Sequence, residues 1–247
     1  MLKGSNPFDH CSQEYSRFRP EYPAALFDHI RSLWPPPGQP LVIDVGAGTG
    51  KASAPLVDRD VSTISVEPSL AMIAEGRRSY PKLKYVCATS EEIPIETNSA
   101  DLVTAAQCFH WFNAPRALAE FARILKPRGY VCLFWNSRTS DSAASKLFDD
   151  LVHKWNPEHN HAYRDKDWSV PIRESGLFGS VEHRQFQWNV VMTIDDWIGL
   201  ARSISYVQSI GPEKLLHFET EFRDSLSRLQ AIDCRYRTDL WAARRDR

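Results

Sequence analysis

The stretch Leu41-Val-Ile-Asp-Val-Gly-Ala-Gly-Thr-Gly50 constrains this chain more than any other, because an apolar run of strand character leads straight into three glycines at 46, 48 and 50. Glycines so placed let the backbone turn sharply and let a ligand approach bare peptide, so the segment reads as a ligand-binding turn leaving a buried strand. Its spacing is G-x-G-x-G, with Lys51 where a dinucleotide fingerprint has its third glycine, which argues against a nicotinamide cofactor. A phosphate loop of the Walker type also fails, since Gly50-Lys51 is followed by Ala52 rather than Ser or Thr.

Around this turn, short β-branched runs alternate with segments of helical period, the pattern of an α/β fold with a parallel sheet and crossover helices. The strand candidates are Leu41–Val45, Thr63–Val66, Lys84–Cys87, Leu102–Ala105 and Tyr130–Trp135; helices fall at Leu70–Ser79 and Pro115–Leu125. A helix over Ala24–Trp34 comes first and is stopped by Pro35-Pro36-Pro37-Gly38. Beyond Asn136 the reading is a helix at Asp141–Trp155, a polar stretch to Trp168 and a strand at Val181–Val191. Helices near Ile194–Ile204 and Pro212–Leu229 follow. The last strand, Cys234–Ala242, alternates polar and apolar residues, as an edge or antiparallel strand does. The expected organisation is an N-terminal helical segment (1–40), a ligand-binding core (41–137), a helical cap insertion (138–180) and a C-terminal part completing the sheet (181–247).

The second strand ends in Glu67, where a doubly wound sheet places a carboxylate able to accept both hydroxyls of a ribose, so an unphosphorylated adenosine ligand fits. Asp44 is a charge inside an apolar strand and must be paired or hydrogen-bonded; it binds a cation or braces the turn.

Thirty Lys plus Arg against thirty-one Asp plus Glu give a formal net charge of -1, which provides no field for drawing in nucleic acid or an anionic membrane. Cysteines at 11, 87, 108, 132 and 234 are odd in number and free of C-x-x-C pairs, which suits reduced thiols in a cytoplasmic protein. The N-terminus lacks the apolar stretch of a secretory signal, and no apolar run nears the ~20 residues of a membrane span. His153, His159 and His161 lack the carboxylate or Cys partners of a metal site, so no metal is expected.

The ordered set DVGAGTG at 44–50, Glu67, CATSEEIP at 87–94, AQCFHWF at 106–112 and LKPRGYVCLFWN at 125–136 resembles the class I S-adenosylmethionine-dependent methyltransferases. Within them it is similar to the small-molecule type 11 group that includes trans-aconitate methyltransferases. Tyr15-Ser-Arg-Phe-Arg-Pro-Glu-Tyr-Pro23 is similar to that group's opening motif, and Arg235-Tyr-Arg-Thr-Asp-Leu-Trp241 to its final strand. The resemblance implies a Rossmann-like, mostly parallel seven-stranded sheet with an antiparallel last strand. It also implies S-adenosyl-L-methionine as cofactor and a small-molecule substrate for a monomer or homodimer. Carried over by position, Gly46, Ala47, Gly48, Thr49 and Gly50 would face the methionine part of the cofactor beside Asp44. Glu67 and Pro68 would hold the ribose, and Met72 would pack near the adenine. Thr89, Ser90 and Glu91 would meet the adenine edge, Gln107 and His110 would close the site towards the substrate, and Tyr15 and Arg19 would cover it. The group usually reads Gly-Gly where this chain has Arg128-Gly129, a departure that touches local backbone conformation only.

Methyl transfer from a sulfonium is an in-line displacement with a neutral leaving group, so alignment matters most. A carboxylate nucleophile needs no general base, only donors that hold the acid, for which Arg19, Arg138 and Arg202 are candidates. A phenol or alcohol needs a base, and His110 is the titratable group best placed for it. Trp111, Phe112, Trp135, Trp168, Trp188 and Tyr206 supply aromatic surface; the expected substrate-side set is Trp111, Trp135, Asn136, Arg138, Arg202 and Tyr206. The competing readings are a macromolecular methyltransferase, against which stands Gln107-Cys-Phe-His110 in place of the Pro-Pro-aromatic motif of base-amine enzymes, and a relative that binds the cofactor without transferring methyl.

Overall fold

The computed structural model describes residues 12–33, 39–158, 166–227 and 232–246. The Pro35–Gly38 stop, Cys11, His159 and His161 lie outside the described residues. In chain order come α1 (Ser12–Phe18), α2 (Ala24–Ser32), β1 (Leu41–Val45), α3 (Ser53–Val57), β2 (Ser62–Val66), α4 (Leu70–Ser79), β3 (Lys84–Val86) and β4 (Ala100–Ala106). A 3-10 turn (Phe109–Trp111), α5 (Ala114–Ile124), β5 (Leu125–Arg138), α6 (Ala143–Trp155), α7 (Ser169–Glu174), β6 (Phe178–Met192), α8 (Ile194–Arg202), α9 (Ser205–Gln208), α10 (Pro212–Leu226) and β7 (Ile232–Arg245) complete the described chain.

The seven strands form one sheet in the order β3-β2-β1-β4-β5-β7-β6, with the last strand antiparallel to the other six. The order reverses between β1 and β4, and the crevice outside the carboxyl ends of strands at such a point is where α/β sheets bind ligands. The glycine turn leaves β1 at that crevice. β1 and β4 are almost wholly buried because helices cover both faces, which is why they read as continuous apolar runs.

Local chemistry sets the helices. Ser69 caps α4 by accepting from Met72 N–H, Asn113 caps α5 by accepting from Arg116 N–H, and Thr193 with Asp196 forms a capping box on α8. α5 buries Ala117, Leu118, Phe121, Ala122 and Ile124. β5 is longer than Tyr130–Trp135 because its pairing with β4 begins at Leu125, ahead of an irregularity that holds Arg128 at φ +69° and shifts the register against β4 between Ala100 and Leu102. Arg128 thus occupies a left-handed conformation that favours glycine. Among the described residues, no helix is long and apolar enough to cross a membrane.

Contacts divide the chain into two compact units. The first contains the described residues within Glu21–Asn136, Asp167–Phe186 and Thr238–Arg247, which form two cores. One holds Val45, Val103, Phe109, Phe121, Leu133 and Trp135; the other holds Phe27, Ile30, Val42, Leu102 and Phe134. The second contains the described residues up to Pro20 and those within Ser137–Lys166 and Gln187–Arg237, built on Phe148, Trp197, Phe218, Phe222 and Tyr236. This grouping cuts across the boundaries 138–180 and 181–247 expected from the sequence. α6, α8 and α10 each carry an apolar face that the others bury, so segments far apart in sequence share one core.

Candidate active site

The turn after β1 is built to be left open on one side. Gly46 and Gly48 have φ of +68° and +55°. A Cβ on Gly46 would lie 2.7 Å from Cys108 Sγ and 3.0 Å from Phe112, whereas one on Gly48 would meet nothing within 4 Å. Gly46 is therefore needed for packing, while Gly48 presents bare backbone to open space. Gly46 and Ala47 N–H both donate to Val66 O, at 2.8 and 3.1 Å, which pins the turn to the end of β2.

Glu67 stands at the rim of that opening with 5% of its surface exposed. Its Oε2 accepts from Gly48 N–H and its Oε1 from Ser69 N–H, both at 2.9 Å. Each carboxylate oxygen has two lone pairs, so these two backbone amides by themselves exhaust neither. Thr49 Oγ1 is buried with no hydrogen-bond partner among the described residues. An open backbone face, a fixed carboxylate and an orphaned hydroxyl fit the sugar and amino-acid parts of an adenosyl ligand.

Asp44 lies beneath the turn and is fully buried. In the sheet register it stands beside Ser65 on β2 and Thr104 on β4. Its carboxylate accepts from Thr104 Oγ1 at 2.7 Å and from Ser53 Oγ at 2.6 Å, and Ser65 Oγ donates to Ser53 Oγ at 2.8 Å. Burial pushes its pKa up to about 6, against the pull of the two hydroxyls. Of the two roles offered by the sequence, this arrangement is the brace: both oxygens are taken by hydroxyls joining β1, β4 and α3.

Tyr85 on β3 braces the turn from the other side, donating to Gly48 O at 3.3 Å, and Gly76 in α4 is the glycine that makes room for its hydroxyl. Burial raises the Tyr85 pKa, helped by the nearby Asp44 and Glu67 charges, so it stays a neutral donor. Neither Tyr85 nor Gly76 stood out in the sequence, yet Tyr85 falls beside Ser65 in the register, extending the polar row that starts at Asp44. Cys108 Sγ contacts Val45 O at 3.2 Å, and its thiol pKa is raised by burial and by the Asp44 and Glu67 charges.

The other expected cofactor residues are distributed as follows. Met72 is buried at 3% exposure, Pro68 is exposed, and Ser90 is buried. Glu91 Oε1 accepts from Asn113 N–H at 2.9 Å; burial raises its pKa, but this bond and the Ser90 hydroxyl outweigh burial and hold it low. That carboxylate thus fastens the loop after β3 to the cap of α5. Gln107, at the end of β4, has φ +60° and donates through Nε2 to Asn136 O at 3.0 Å. His110 is exposed on the 3-10 turn, its ring 4.9 Å from Trp111 and 6.5 Å from Trp135.

Several expected substrate residues are occupied by the protein itself. Asn136 uses both ends of its amide, accepting from Thr238 Oγ1 at 2.6 Å and donating to Glu21 O at 2.9 Å, so it ties strands and N-terminal segment together. Trp135 is 5% exposed and stacks on Trp168 at 4.6 Å, which makes it core, whereas Trp111 is 56% exposed. The remaining residues belong to the second unit. Arg138 pairs with Asp149 and its guanidinium carbon lies 4.4 Å from the Phe148 ring centroid. Arg202 forks onto Glu219 through Nε at 2.6 Å and through Nη2. Tyr206 is half-buried and its carbonyl accepts from Asn156. Arg19 donates to Ser203 O at 2.9 Å, lies 5.2 Å from the Tyr15 ring, and has no carboxylate partner among the described residues.

Residues 43–133 match the family model of a methyltransferase domain. An uncharacterized methyltransferase of Mycobacterium tuberculosis is 33% identical over 196 residues, covering 78% of this chain and 74% of its own. A malonyl-[acyl-carrier protein] O-methyltransferase of Marinomonas is 31% identical over 166 residues, covering 65% of this chain and 60% of its own. Among solved structures, one described as a type II methyltransferase of Anaeromyxobacter dehalogenans superposes with a TM-score of 0.73 at 23% identity, over 92% of this chain and 98% of that one.

Proposed function

Since this chain belongs to the methyltransferase-domain family and takes S-adenosylmethionine as cofactor, we propose that it transfers a methyl group to an oxygen nucleophile, a carboxylate, of a small molecule. The observation that carries the reading is the open face at Gly48 with the Glu67 carboxylate fastened at its rim. The cofactor supplies an electrophilic methyl on a sulfonium, and transfer releases a neutral thioether. The protein's part is to hold and align: Glu67 takes the ribose hydroxyls, and the Gly46–Gly50 backbone takes the methionine side. Asp44 and Tyr85 keep that backbone in place. Closing the gap between nucleophile and methyl to about 3–3.5 Å contributes several kcal/mol without acid or base.

Two considerations favour oxygen and an acid. The O-methyltransferase among the relatives is named for a malonyl acceptor. Of the three candidate guanidiniums, Arg138 and Arg202 already pair with Asp149 and Glu219, whereas Arg19 has no carboxylate partner among the described residues. A net charge of -1 supports a small molecule over nucleic acid. Methyl transfer to acids, phenols and amines from a labelled donor, with S-adenosylhomocysteine release recorded, tests the reading: turnover confined to amines removes the oxygen assignment. For a phenol or alcohol, His110 would act as base, and near-normal turnover by His110→Ala dismisses that role. In calorimetry Glu67→Ala is expected to weaken cofactor binding at least 10-fold, with Arg245→Ala near wild type; equal effects count against the ribose contact.

A further inference from the structure

β6 is the outermost strand of the sheet, with β7 as its neighbour on one side only. It runs for 15 residues, against about five or six for an ordinary strand. Among the described residues, no backbone group of Ser180–Phe186 makes a hydrogen bond outside the sheet, and Glu182, His183, Arg184 and Gln185 are all exposed. An open edge of this kind is a template for another strand, and proteins commonly blunt it by keeping it short or by placing Lys or Pro on it. β6 is long, and its sequence from Phe178 to Met192 has neither residue.

Charge narrows what can lie there. Glu182 and Arg184 are two residues apart and share one face of the strand, where they pair with each other and His29 Nε2 stands 3.5 Å from Glu182. They are the permanent charges of Ser180–Phe186, so the segment is neutral and does not repel a copy of itself. An antiparallel copy related by a two-fold axis through His183 sets each residue opposite the one equally far beyond position 183. Glu182 of each chain then faces the partner's Arg184, giving two opposite-charge pairs. Moving the axis by one position sets Glu182 against Glu182, or Arg184 against Arg184, so charge selects the first register. His183, on the axis, is drawn back to its own β7: Nε2 lies 2.9 Å from Asp239 Oδ1 and the ring stacks on Trp241 at 4.7 Å. We propose that the chain forms a two-fold dimer in which β6 pairs antiparallel with the partner's β6 about His183, joining the two sheets into one.

The test is sedimentation velocity over a range of concentrations on wild type, Glu182→Arg, Arg184→Glu and the double variant Glu182→Arg/Arg184→Glu. Wild type is expected at twice the chain mass. Each single variant turns both pairs into like charges and should weaken association about 10- to 100-fold. The double variant exchanges the two signs, restores both pairs and should return to the dimer. A monomeric wild type overturns the proposal and leaves the edge to some other strand. A dimer indifferent to the single substitutions, or a double variant as weak as the singles, overturns it too. Hydrogen exchange on the wild type needs no substitution and decides the matter if a variant does not fold. The amides of Ser180–Phe186 should exchange more slowly as protein concentration rises, and exchange there that ignores concentration refutes the pairing.

Discussion

Gly76→Ala tests whether the glycine turn is held in place from behind. Gly76 sits inside α4, where propensity alone makes alanine better than glycine by about 1 kcal/mol. The packing opposes this, because a Cβ there would run into Tyr85 Oη, lie 2.6 Å from Tyr85 Cζ and 3.0 Å from Thr49 O. Overpacking of that kind costs about 1–3 kcal/mol, and displacing Tyr85 from Gly48 O removes a hydrogen bond of about 1 kcal/mol. The net expectation is destabilisation by about 1–3 kcal/mol, opposite in sign to propensity, or a fall in Tm of roughly 2–12 °C for a chain of this size. S-adenosylmethionine affinity should fall as well, although Gly76 is a helix residue behind the turn. Tyr85→Phe alone should cost about 1 kcal/mol, and in the Gly76→Ala background less than that, because the hydroxyl that clashes most closely is gone while Cζ remains. Thermal melts and calorimetry on the four proteins of the cycle decide it. A Gly76→Ala protein as stable as wild type, or strictly additive effects, would refute the idea that Tyr85 and Gly76 jointly position the turn.

Other substitutions probe different parts of the same site. Gly48→Ala should retain the fold at a cost of about 1 kcal/mol for its φ of +55° yet lose cofactor binding, because the new methyl enters the open face; unchanged affinity in a titration would mean no ligand passes there. Asp44, raised from an ordinary 3.8 to about 6, makes a contribution to stability that is complete below pH 3.8 and is lost as pH rises through 6. That loss amounts to about 3 kcal/mol. Denaturant titrations of wild type minus Asp44→Asn should show a difference falling with pH across that window, and a flat difference would remove Asp44 as its source. Arg128→Gly should stabilise by about 0.5–1 kcal/mol by relieving φ +69°, read as a higher midpoint in urea; a lower midpoint would show that the Arg128 side chain matters more than its backbone.

The strands β1, β2 and β4 and helix α4 were legible because each is set by a local signal, a buried apolar run or a helical period. Short α1, α3, α7 and α9 span too few residues for a period to show. At the site, Glu67 and the glycines were readable because their geometry is imposed by where strands end. The ties of Asn136, Arg138 and Arg202 were not: Glu21 and Thr238 lie 115 and 102 residues from Asn136, Asp149 and Glu219 lie 11 and 17 residues from their arginines on other elements, and a polar residue near a pocket looks alike whether bound to protein or to ligand. The Asp44 brace was half legible: one hydroxyl in each flanking strand, Ser65 and Thr104, becomes meaningful once the register is known.

The two backbone amides that Glu67 accepts have a thermodynamic corollary. Its carboxylate is immobilised by the polypeptide alone, so the rotamer freedom of that side chain is surrendered during folding and not when a sugar arrives. Recognition at this end of the groove should then resemble docking onto a rigid template, with an association rate governed by diffusion and little conformational lag.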